Sequence, residues 1–377
     1  MRFNLSESGV HPLTVGELAE LTGADPLDAA RLGYGQSNGS DPLRERIAAL
    51  YPGATDANVL VTVGAAEANY LCAWRLIEPG AGAALMLPNY MQIPGLVDGF
   101  GGRGLPFHLR EEDGWAPDLD ALAAALRAGA RFVLVTNPNN PTGRVLTEAE
   151  MDRIVALADR HGAWIVADEV YQGAEIGGAT TPSFWGRSDR VLVTNSLSKA
   201  YGLPGLRVGW VVGPADVIAD LWGRKDYTSI TVATVSDRLA AAALEPAARA
   251  RIFARTRAII RANLDAVSEW AAAHGDLVRH RPPDAGAISF LRYDAPIGSL
   301  ALAERLRVEH DVLVVPGDHF GVDRFLRVGF GLPRGELVEA LGRVAETLDD
   351  ATRNACTSPG VPASVGGSPP TRTGGHT

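Results

Sequence analysis

The feature that most constrains the fold is an alternation of short apolar runs with Ala- and Leu-rich helical patterns in the middle of the chain. The apolar runs cover residues 59–63, 83–87, 131–136, 164–167 and 190–194. Near-continuous apolar strands are typical of a sheet that is covered on both faces, and strands that alternate with helices form mostly parallel sheets. We therefore predict an α/β fold whose mostly parallel sheet lies between layers of helices.

The pattern changes after about residue 264. Helical patterns there alternate with the apolar runs 285–290, 312–315 and 325–330, which predicts a smaller α+β domain packed on the sheet domain. We expect an N-terminal segment (1–42) that joins the small domain, a large domain (43–263), the small C-terminal domain (264–351) and a disordered tail (352–377). The tail is mostly Thr, Pro, Gly and Ser and has no aromatic residue, so it can bury little apolar surface.

Composition excludes several classes of function. The net charge of −9 and the absence of a basic block argue against a nucleic-acid or membrane-surface binder. Two cysteines, Cys72 and Cys356, cannot form a disulfide framework, and the eight histidines lack metal-ligand spacing. No apolar run approaches the roughly 20 residues of a membrane span, and the start has no signal-peptide pattern. We expect a cytoplasmic protein without a metal.

Three polar clusters follow the ends of predicted strands, where open α/β sheets bind their ligands. They are Asn-Pro-Asn-Asn-Pro-Thr-Gly at 137–143, Asp-Glu-Val-Tyr at 168–171, and the stretch from Ser196 to Gly209. In the third cluster, Lys199 follows an apolar strand and is itself followed by Arg207. A lysine in this position suits a Schiff-base nucleophile, and an arginine beside it suits a phosphate site.

Together and in this order, the clusters resemble the class I/II aminotransferase family of fold-type-I pyridoxal-phosphate enzymes, over about residues 5–348. The resemblance implies a large cofactor-binding domain, a smaller domain and pyridoxal 5′-phosphate as cofactor. Lys199 matches the family lysine that forms the Schiff base and moves the substrate proton. Asp168 matches the partner of the protonated ring nitrogen. Tyr171 and Asn140 match the donors to the phenolic oxygen, and Tyr90 matches the aromatic residue that stacks on the ring.

The resemblance also assigns a phosphate site. The backbone N–H groups of Gly64, Ala65 and Ala66 lie between a predicted strand and a predicted helix, where a helix N-terminus binds anions. Ser196 and Arg207 match the family's hydroxyl and guanidinium ligands. The family often has Ser or Thr where Ala66 stands, so this position offers only its backbone N–H.

Substrate and subunit contacts follow from the same resemblance. Arg327 matches the arginine that clamps the α-carboxylate of an amino-acid substrate, because a planar carboxylate suits a bidentate guanidinium. Asn140 is expected to share this contact, with Gly9 and Val10 of the N-terminal segment. Tyr34 matches a tyrosine that reaches the phosphate of the neighbouring subunit, which implies a homodimer.

The reaction implied first is amino transfer from an L-amino acid to a 2-oxo acid by a ping-pong mechanism. The stretches 5–14 and 87–93, however, resemble a sub-branch that includes capreomycidine-synthase-like cyclases and lincosamide-tailoring enzymes. That sub-branch implies β-elimination or replacement, cyclisation or oxidative decarboxylation in specialised, antibiotic-type metabolism as the alternative. For a substrate side-chain carboxylate, Arg292 and Arg31 are candidates without positional support.

Two other classes fit the sequence less well. A nicotinamide dehydrogenase would share the α/β pattern, but the glycines of 202–205 lack the strand-to-helix spacing of the dinucleotide fingerprint. A pyridoxal-phosphate-binding regulator would need a DNA-binding module, and we expect none because few residues precede the resemblance.

Overall fold

The structure is a computed structural model that describes the backbone of residues 1–23 and 31–357. Its main sheet has eight strands in the order β2-β9-β8-β7-β6-β3-β4-β5, and the strands and helices are listed here in chain order. The strands are β1 (Phe3–Asn4), β2 (Val59–Thr62), β3 (Gly82–Leu87), β4 (Arg103–Arg110), β5 (Ala116–Pro117), β6 (Ala130–Thr136), β7 (Trp164–Asp168), β8 (Val191–Ser196), β9 (Gly209–Val212), β10 (Val278–Arg279), β11 (Ile288–Tyr293), β12 (Val312–Leu313), β13 (Val315–Pro316) and β14 (Phe325–Gly329). The helices are α1 (Val15–Thr22), α2 (Asp41–Ala48), α3 (Gly64–Leu76), α4 (Gln92–Gly99), α5 (Leu119–Arg127), α6 (Glu148–Arg160), α7 (Ala215–Lys225), α8 (Thr234–Ala243), α9 (Pro246–Ala273), α10 (Ser299–His310) and α11 (Arg334–Thr357).

The predicted α/β class is confirmed, and the main sheet is mostly parallel. Strands β4, β3, β6, β7 and β8 pair in parallel, whereas β9 runs antiparallel between β8 and β2. Every residue of β8 and β9 is buried, as expected for strands covered on both faces. The carboxyl ends of β6, β7 and β8 therefore lie side by side at one edge of a rigid layer.

Local sequence signals define where the helices begin. Thr147 and Glu150 form a capping box at the start of α6, because each side chain accepts a hydrogen bond from the backbone N–H of the other residue. Ser40 caps α2 through a hydrogen bond from Leu43 N. Helix α3 differs, since its N-cap residue Val63 makes no side-chain capping bond. The first N–H groups of α3 are therefore left without a side-chain cap.

The N-terminal segment joins the C-terminal part of the chain. Strand β1 pairs in parallel with β12, and β10, β11, β14 and β13 form a separate antiparallel sheet. Beyond β1, Gly329 N donates to Leu5 O (2.6 Å) and His11 N donates to Gly331 O (2.8 Å). These bonds hold residues 5–11 along β14, although the bounds of the predicted domains stay a prediction.

The end of the fold differs from the expectation at one boundary. Helix α11 continues to Thr357, whereas we predicted a disordered tail from residue 352. Thr352 Oγ1 donates to Leu348 O (2.9 Å) and the helical backbone runs on to Thr357, so helical structure extends past the predicted boundary. The remainder of the predicted tail, 358–377, lies outside the described residues.

No helix among the described residues is both long enough and apolar enough to cross a membrane.

We predict that Gly329→Ala destabilises the protein by about 1–3 kcal/mol, since a Cβ at this position would collide with Glu7 O. The backbone of residues 5–7 packs directly on Gly329 and would have to move. Gly335→Ala is the matched control, because a Cβ there meets nothing within 4 Å. Urea unfolding of both variants measures the effect, and equal stabilities would contradict the proposed packing.

Candidate active site

The candidate site begins at the carboxyl ends of three neighbouring parallel strands. Thr136 of β6, Asp168 of β7 and Thr194 of β8 are in register across these strands. All three side chains are buried. The chain leaves β6 toward Asn140 and leaves β8 toward Lys199, so the three predicted clusters meet at one edge of the sheet.

A cavity of about 240 Å³ lies at this edge. The predicted site residues that line it are Lys199, Asp168, Tyr171, Asn140, Tyr90, Ser196, Arg207, Ala65 and Ala66. The structure therefore brings residues from five separate parts of the sequence to one cavity.

The other predicted site residues lie beside the cavity or away from it. Gly64 begins α3, and a Cβ there would collide with Arg207 Nη2. A Cβ at Gly9 would lie 3.5 Å from Lys199 Cδ, so this glycine packs against the lysine stem. Val10 is buried, whereas Tyr34 is 91% exposed and does not line the cavity of its own chain. The predicted contact of Tyr34 with a second subunit stays a prediction.

Asp168 is a buried carboxylate held by two donors. Asn69 Nδ2 donates to Oδ2 (2.9 Å), and Val170 N donates to Oδ1 (3.2 Å). Burial raises the pKa of Asp168, while Asn69, Val170 and the charge of Lys199 oppose this effect. A buried carboxylate is stabilised by a cationic partner, and a protonated pyridine nitrogen is such a partner.

Lys199 is paired with a residue from the distant N-terminal segment. Its Nζ donates to Glu7 Oε1 (2.7 Å), and the lysine side chain is 23% exposed. Glu7 and Ser8 both line the cavity beside Lys199. The amine is therefore inside the cavity and accessible, which a nucleophile requires.

The end of the cavity near α3 is suited to an anion. Ala65 and Ala66 stand in the uncapped first turn of α3, where free N–H groups and the helix dipole attract negative charge. Arg207 adopts a left-handed conformation (φ 53°) that places it beside Gly64 at the same end. Ser196 adds a hydroxyl to the lining. These donors match the needs of a phosphate group.

Tyr171 and Arg327 complete the polar surroundings. Burial raises the pKa of Tyr171, although Lys199 and Arg327 oppose the shift, so its hydroxyl is a donor at neutral pH. Arg327 lies behind Asn140 and does not line the cavity; its Nη1 donates to Asn140 Oδ1 (3.2 Å) and its Nη2 donates to Ser6 O. Among the described residues, Arg327 Nε is buried without a hydrogen-bond partner.

These groups fit pyridoxal 5′-phosphate. The uncapped turn of α3 and Arg207 suit the phosphate, Asp168 suits the ring nitrogen, Tyr171 suits the phenolic oxygen, and Lys199 suits the carbonyl carbon. The close approach at Gly64 also fits, because a side chain there would displace the Arg207 guanidinium. In the described part of the chain, no three His, Cys, Asp or Glu side chains are close enough to hold a metal ion.

Sequence reasoning did not assign eight of the residues that line the cavity: Glu7, Ser8, Asn69, Gln92, Thr136, Val170, Ser198 and Pro204. Asn69 could have been found as a polar residue on the otherwise apolar side of α3. Glu7 had no local signal, because its contact spans 192 positions in the sequence. The two arginine candidates, Arg292 and Arg31, do not line the cavity; Arg292 pairs with Glu111 and Arg31 is exposed.

Comparison with known proteins identifies the family. The family model for aminotransferase class I and II matches residues 23–344. The chain is 36% identical to capreomycidine synthase of Streptomyces vinaceus over 354 residues, which are 93% of this chain and 90% of that protein. It is 31% identical to arginine–pyruvate transaminase AruH of Pseudomonas aeruginosa, with 85% and 84% of the two chains covered. Among solved structures, a PLP-dependent aminotransferase from Streptococcus suis superposes with a TM-score of 0.87 at 32% identity, covering 92% and 93%.

The chain therefore belongs to the aminotransferase class I and II family. It is an enzyme of the pyridoxal-phosphate-dependent fold type I, and its cofactor is pyridoxal 5′-phosphate. The resemblance stated from the sequence is confirmed, and it includes the similarity to capreomycidine synthase.

We predict that Asn69→Ala weakens cofactor binding roughly 5- to 100-fold, because the Asp168 carboxylate loses a buried charge-assisted donor. Thr194 Oγ1, which donates to Asn69 Oδ1 (2.7 Å), would lose its acceptor in the same variant. Fluorescence titration of the cofactor-free protein measures the change. Asn58→Ala is the control, since Asn58 donates to Gly213 O away from the cavity. Equal affinities in the two variants would contradict the role of Asn69.

Glu169, next to Asp168, generates a pH-dependent prediction. Burial raises its pKa to about 8, while hydrogen bonds from Phe184 N and Ser183 Oγ oppose the shift. The folded-state pKa of Glu169 lies above the ordinary 4.5. The protonated carboxyl therefore contributes its full stabilisation to the fold below pH 4.5. Its contribution is lost as the pH rises toward 8, with a slope of at most about 1.4 kcal/mol per pH unit.

Glu169→Gln should flatten this dependence, since the amide keeps an oxygen acceptor and does not ionise. The free energy of unfolding, measured by urea at pH 5, 6.5 and 8, checks the prediction. The exposed Glu20→Gln has the same change in charge and should retain the wild-type slope. If the free energy of unfolding of Glu169→Gln kept the wild-type dependence on pH, ionisation of Glu169 would not destabilise the fold and the prediction would be wrong.

Proposed function

We propose that this enzyme transfers the amino group of an L-amino acid to a 2-oxo acid. The observation that carries the proposal is the presence of Lys199, Asp168 and the uncapped start of α3 in one cavity, with Arg327 directly behind it. Membership of the aminotransferase class I and II family supports the same reaction. The bound cofactor supplies an electron sink that acidifies the Cα proton of an attached amino acid.

Lys199 is the residue to which we assign the proton transfer. The sequence contains two lysines, Lys199 and Lys225. Lys225 is buried, and its Nζ donates to Ser37 O (2.8 Å) and Ile230 O (2.6 Å), outside the cavity lining. Lys199 is therefore the lysine available to hold the cofactor and, once released from it, to accept the Cα proton at Nζ.

The remaining residues hold and orient the reactants. Asp168 keeps the ring nitrogen protonated by offering a buried negative charge. Arg327 and Asn140, which are hydrogen-bonded to each other, orient the substrate α-carboxylate, because a planar carboxylate suits a guanidinium. Tyr171 donates to the phenolic oxygen and limits access of water, because it is buried against the cavity.

We propose a homodimer with a partner bound at the surface around Tyr34. Leu32, Tyr34 and Tyr227 are each more than 80% exposed. Hydrogen bonds from Thr234 to Gly33 O and from Trp222 to Ser37 Oγ join their two segments into one surface. Large apolar side chains in such a surface favour a protein interface. A location in the cytoplasm stays a prediction.

A second candidate function is cyclisation or β-elimination. It is favoured by the 36% identity to capreomycidine synthase over nearly the whole chain. The residues described above serve both reactions, because both begin by removing the Cα proton. The two reactions diverge afterwards. In amino transfer, the enzyme keeps the amino group and a 2-oxo acid is released. In the second candidate, a β-substituent leaves the substrate.

The assignment of Lys199 predicts a covalent attachment that can be mapped. Borohydride reduction of the cofactor-loaded enzyme should attach the cofactor to Lys199 and leave Lys225 unmodified, as measured by peptide mass. Lys199→Ala should lose the attachment and at least 10⁴-fold in turnover, since the nucleophile and the proton carrier are the same group. Label on Lys225, or normal turnover of Lys199→Ala, would contradict the assignment.

Single-turnover mixing of the loaded enzyme with a panel of L-amino acids decides between the two functions. Release of a 2-oxo acid, with the amino group retained on the enzyme, supports amino transfer. Release of ammonia or of a cyclised product, with the starting cofactor absorbance restored, supports the second candidate and contradicts the first.

A further inference from the structure

We propose that Glu7 binds a cationic group on the substrate side chain, so that the enzyme prefers amino acids that carry a guanidinium or an ammonium group. This inference rests on the proposed function and names its substrate class. It assigns to the N-terminal segment a specificity-determining residue inside the cavity.

The Glu7 carboxylate is held in place by its own segment. Oε1 accepts hydrogen bonds from Ser8 N (2.9 Å) and Gly9 N (3.2 Å). The segment is fixed in turn by the bond from Gly329 N to Leu5 O and by the pairing of β1 with β12. The carboxylate therefore stays on the cavity wall whether or not Lys199 is paired with it.

The carboxylate is ionised in this position. Burial opposes ionisation of Glu7, but the charge of Lys199 and the N–H groups of Ser8 and Gly9 outweigh burial and lower the pKa. With Oε1 bound to backbone, Oε2 makes no hydrogen bond among the described residues. The ionised carboxylate of Glu7 therefore borders the cavity with one oxygen free to accept a hydrogen bond.

Glu7 loses its basic partner once Lys199 bonds with the cofactor. The acidic and basic side chains that line the cavity are Glu7, Asp168, Lys199 and Arg207. In the proposed enzyme Asp168 faces the ring nitrogen, Arg207 faces the phosphate, and Lys199 leaves Glu7 to bond with the cofactor. The Lys199 ammonium, 2.7 Å from Oε1 in this structure, occupies the position that a substrate cation would take.

An acidic side chain lacks a comparable partner. Among the described residues, Arg207 is the one arginine that lines the cavity. Arg292 is engaged with Glu111, and Arg31 is exposed outside the lining. The Glu7 carboxylate would also repel a substrate that carries a second carboxylate. Glu7 therefore favours a cationic side chain both by attracting it and by disfavouring an acidic competitor.

Ligand binding tests the proposal apart from turnover. The cofactor-loaded enzyme is titrated calorimetrically with 5-guanidinopentanoate and with 5-ureidopentanoate, which have the same shape, differ in charge and lack the reactive α-amine. The wild type should bind the guanidino acid roughly 10- to 100-fold more tightly, as expected for a charge-assisted hydrogen bond. Glu7→Gln, which keeps the oxygen acceptor for Ser8 and Gly9, should remove the difference.

The control is Glu20→Gln, which makes the same charge change at an exposed position of α1 and should keep the preference. Equal affinities of the wild type for the two acids would overturn the proposal. A preference that survives in Glu7→Gln would overturn it as well. Thermal unfolding of both variants verifies that each is folded at the temperature of the titration.

Kinetics separate this role from an effect on Lys199. For arginine against citrulline, and lysine against norleucine, Glu7→Gln should reduce kcat/KM more for the cationic member of each pair than for the neutral one. An equal loss for all four substrates, with a shifted pH profile, would show that Glu7 acts by positioning Lys199 and would overturn the proposal. Turnover without any preference for a cationic substrate would contradict this inference and leave the proposed function intact. Absence of turnover, together with absence of the cofactor on Lys199, would contradict the proposed function.

Discussion

The site depends on the parallel register of β6, β7 and β8. This register places the buried Asp168 of β7 opposite Thr136 of β6 and Thr194 of β8. Because a buried carboxylate needs donors and a cation, the surroundings are organised around it: Asn69 donates from α3, and Thr194 in turn holds Asn69. The cavity, the uncapped helix start and the lysine all lie at the edge that this register defines.

A second constraint is the path of the first residues of the chain. Close backbone packing on Gly329 and Gly331 brings the segment that follows β1 across the sheet edge. The segment then supplies Glu7 and Ser8 to the cavity and places Gly9 against the Lys199 stem. Glycine is required at these crossings because any side chain would occupy the space of the other backbone. The position of Glu7, which we propose selects the substrate, thus depends on packing of the N-terminal segment against Gly329 and Gly331.

The fold class and the family could be predicted because they rest on local patterns. Apolar runs marked the strands of the main sheet, and three ordered clusters contain residues that line the cavity. The end of the last helix was placed too early, since the low apolar content after residue 352 masked a backbone that continues as helix to Thr357. Glu7 and Asn69 were missed for a different reason: each is defined by a partner that is distant in the sequence, Lys199 and Asp168 respectively.

The sequence by itself determined the α/β class, the family and many of the residues that line the candidate site, because strand periodicity and short motifs are local properties of the chain. Only the tertiary structure decided which charges face one another. It set Glu7 against Lys199, placed Arg327 behind Asn140, and left Arg292 with Glu111 away from the cavity. Those pairings depend on how β1, β14 and the main sheet pack together, and such long-range contacts leave no local pattern in the amino-acid sequence.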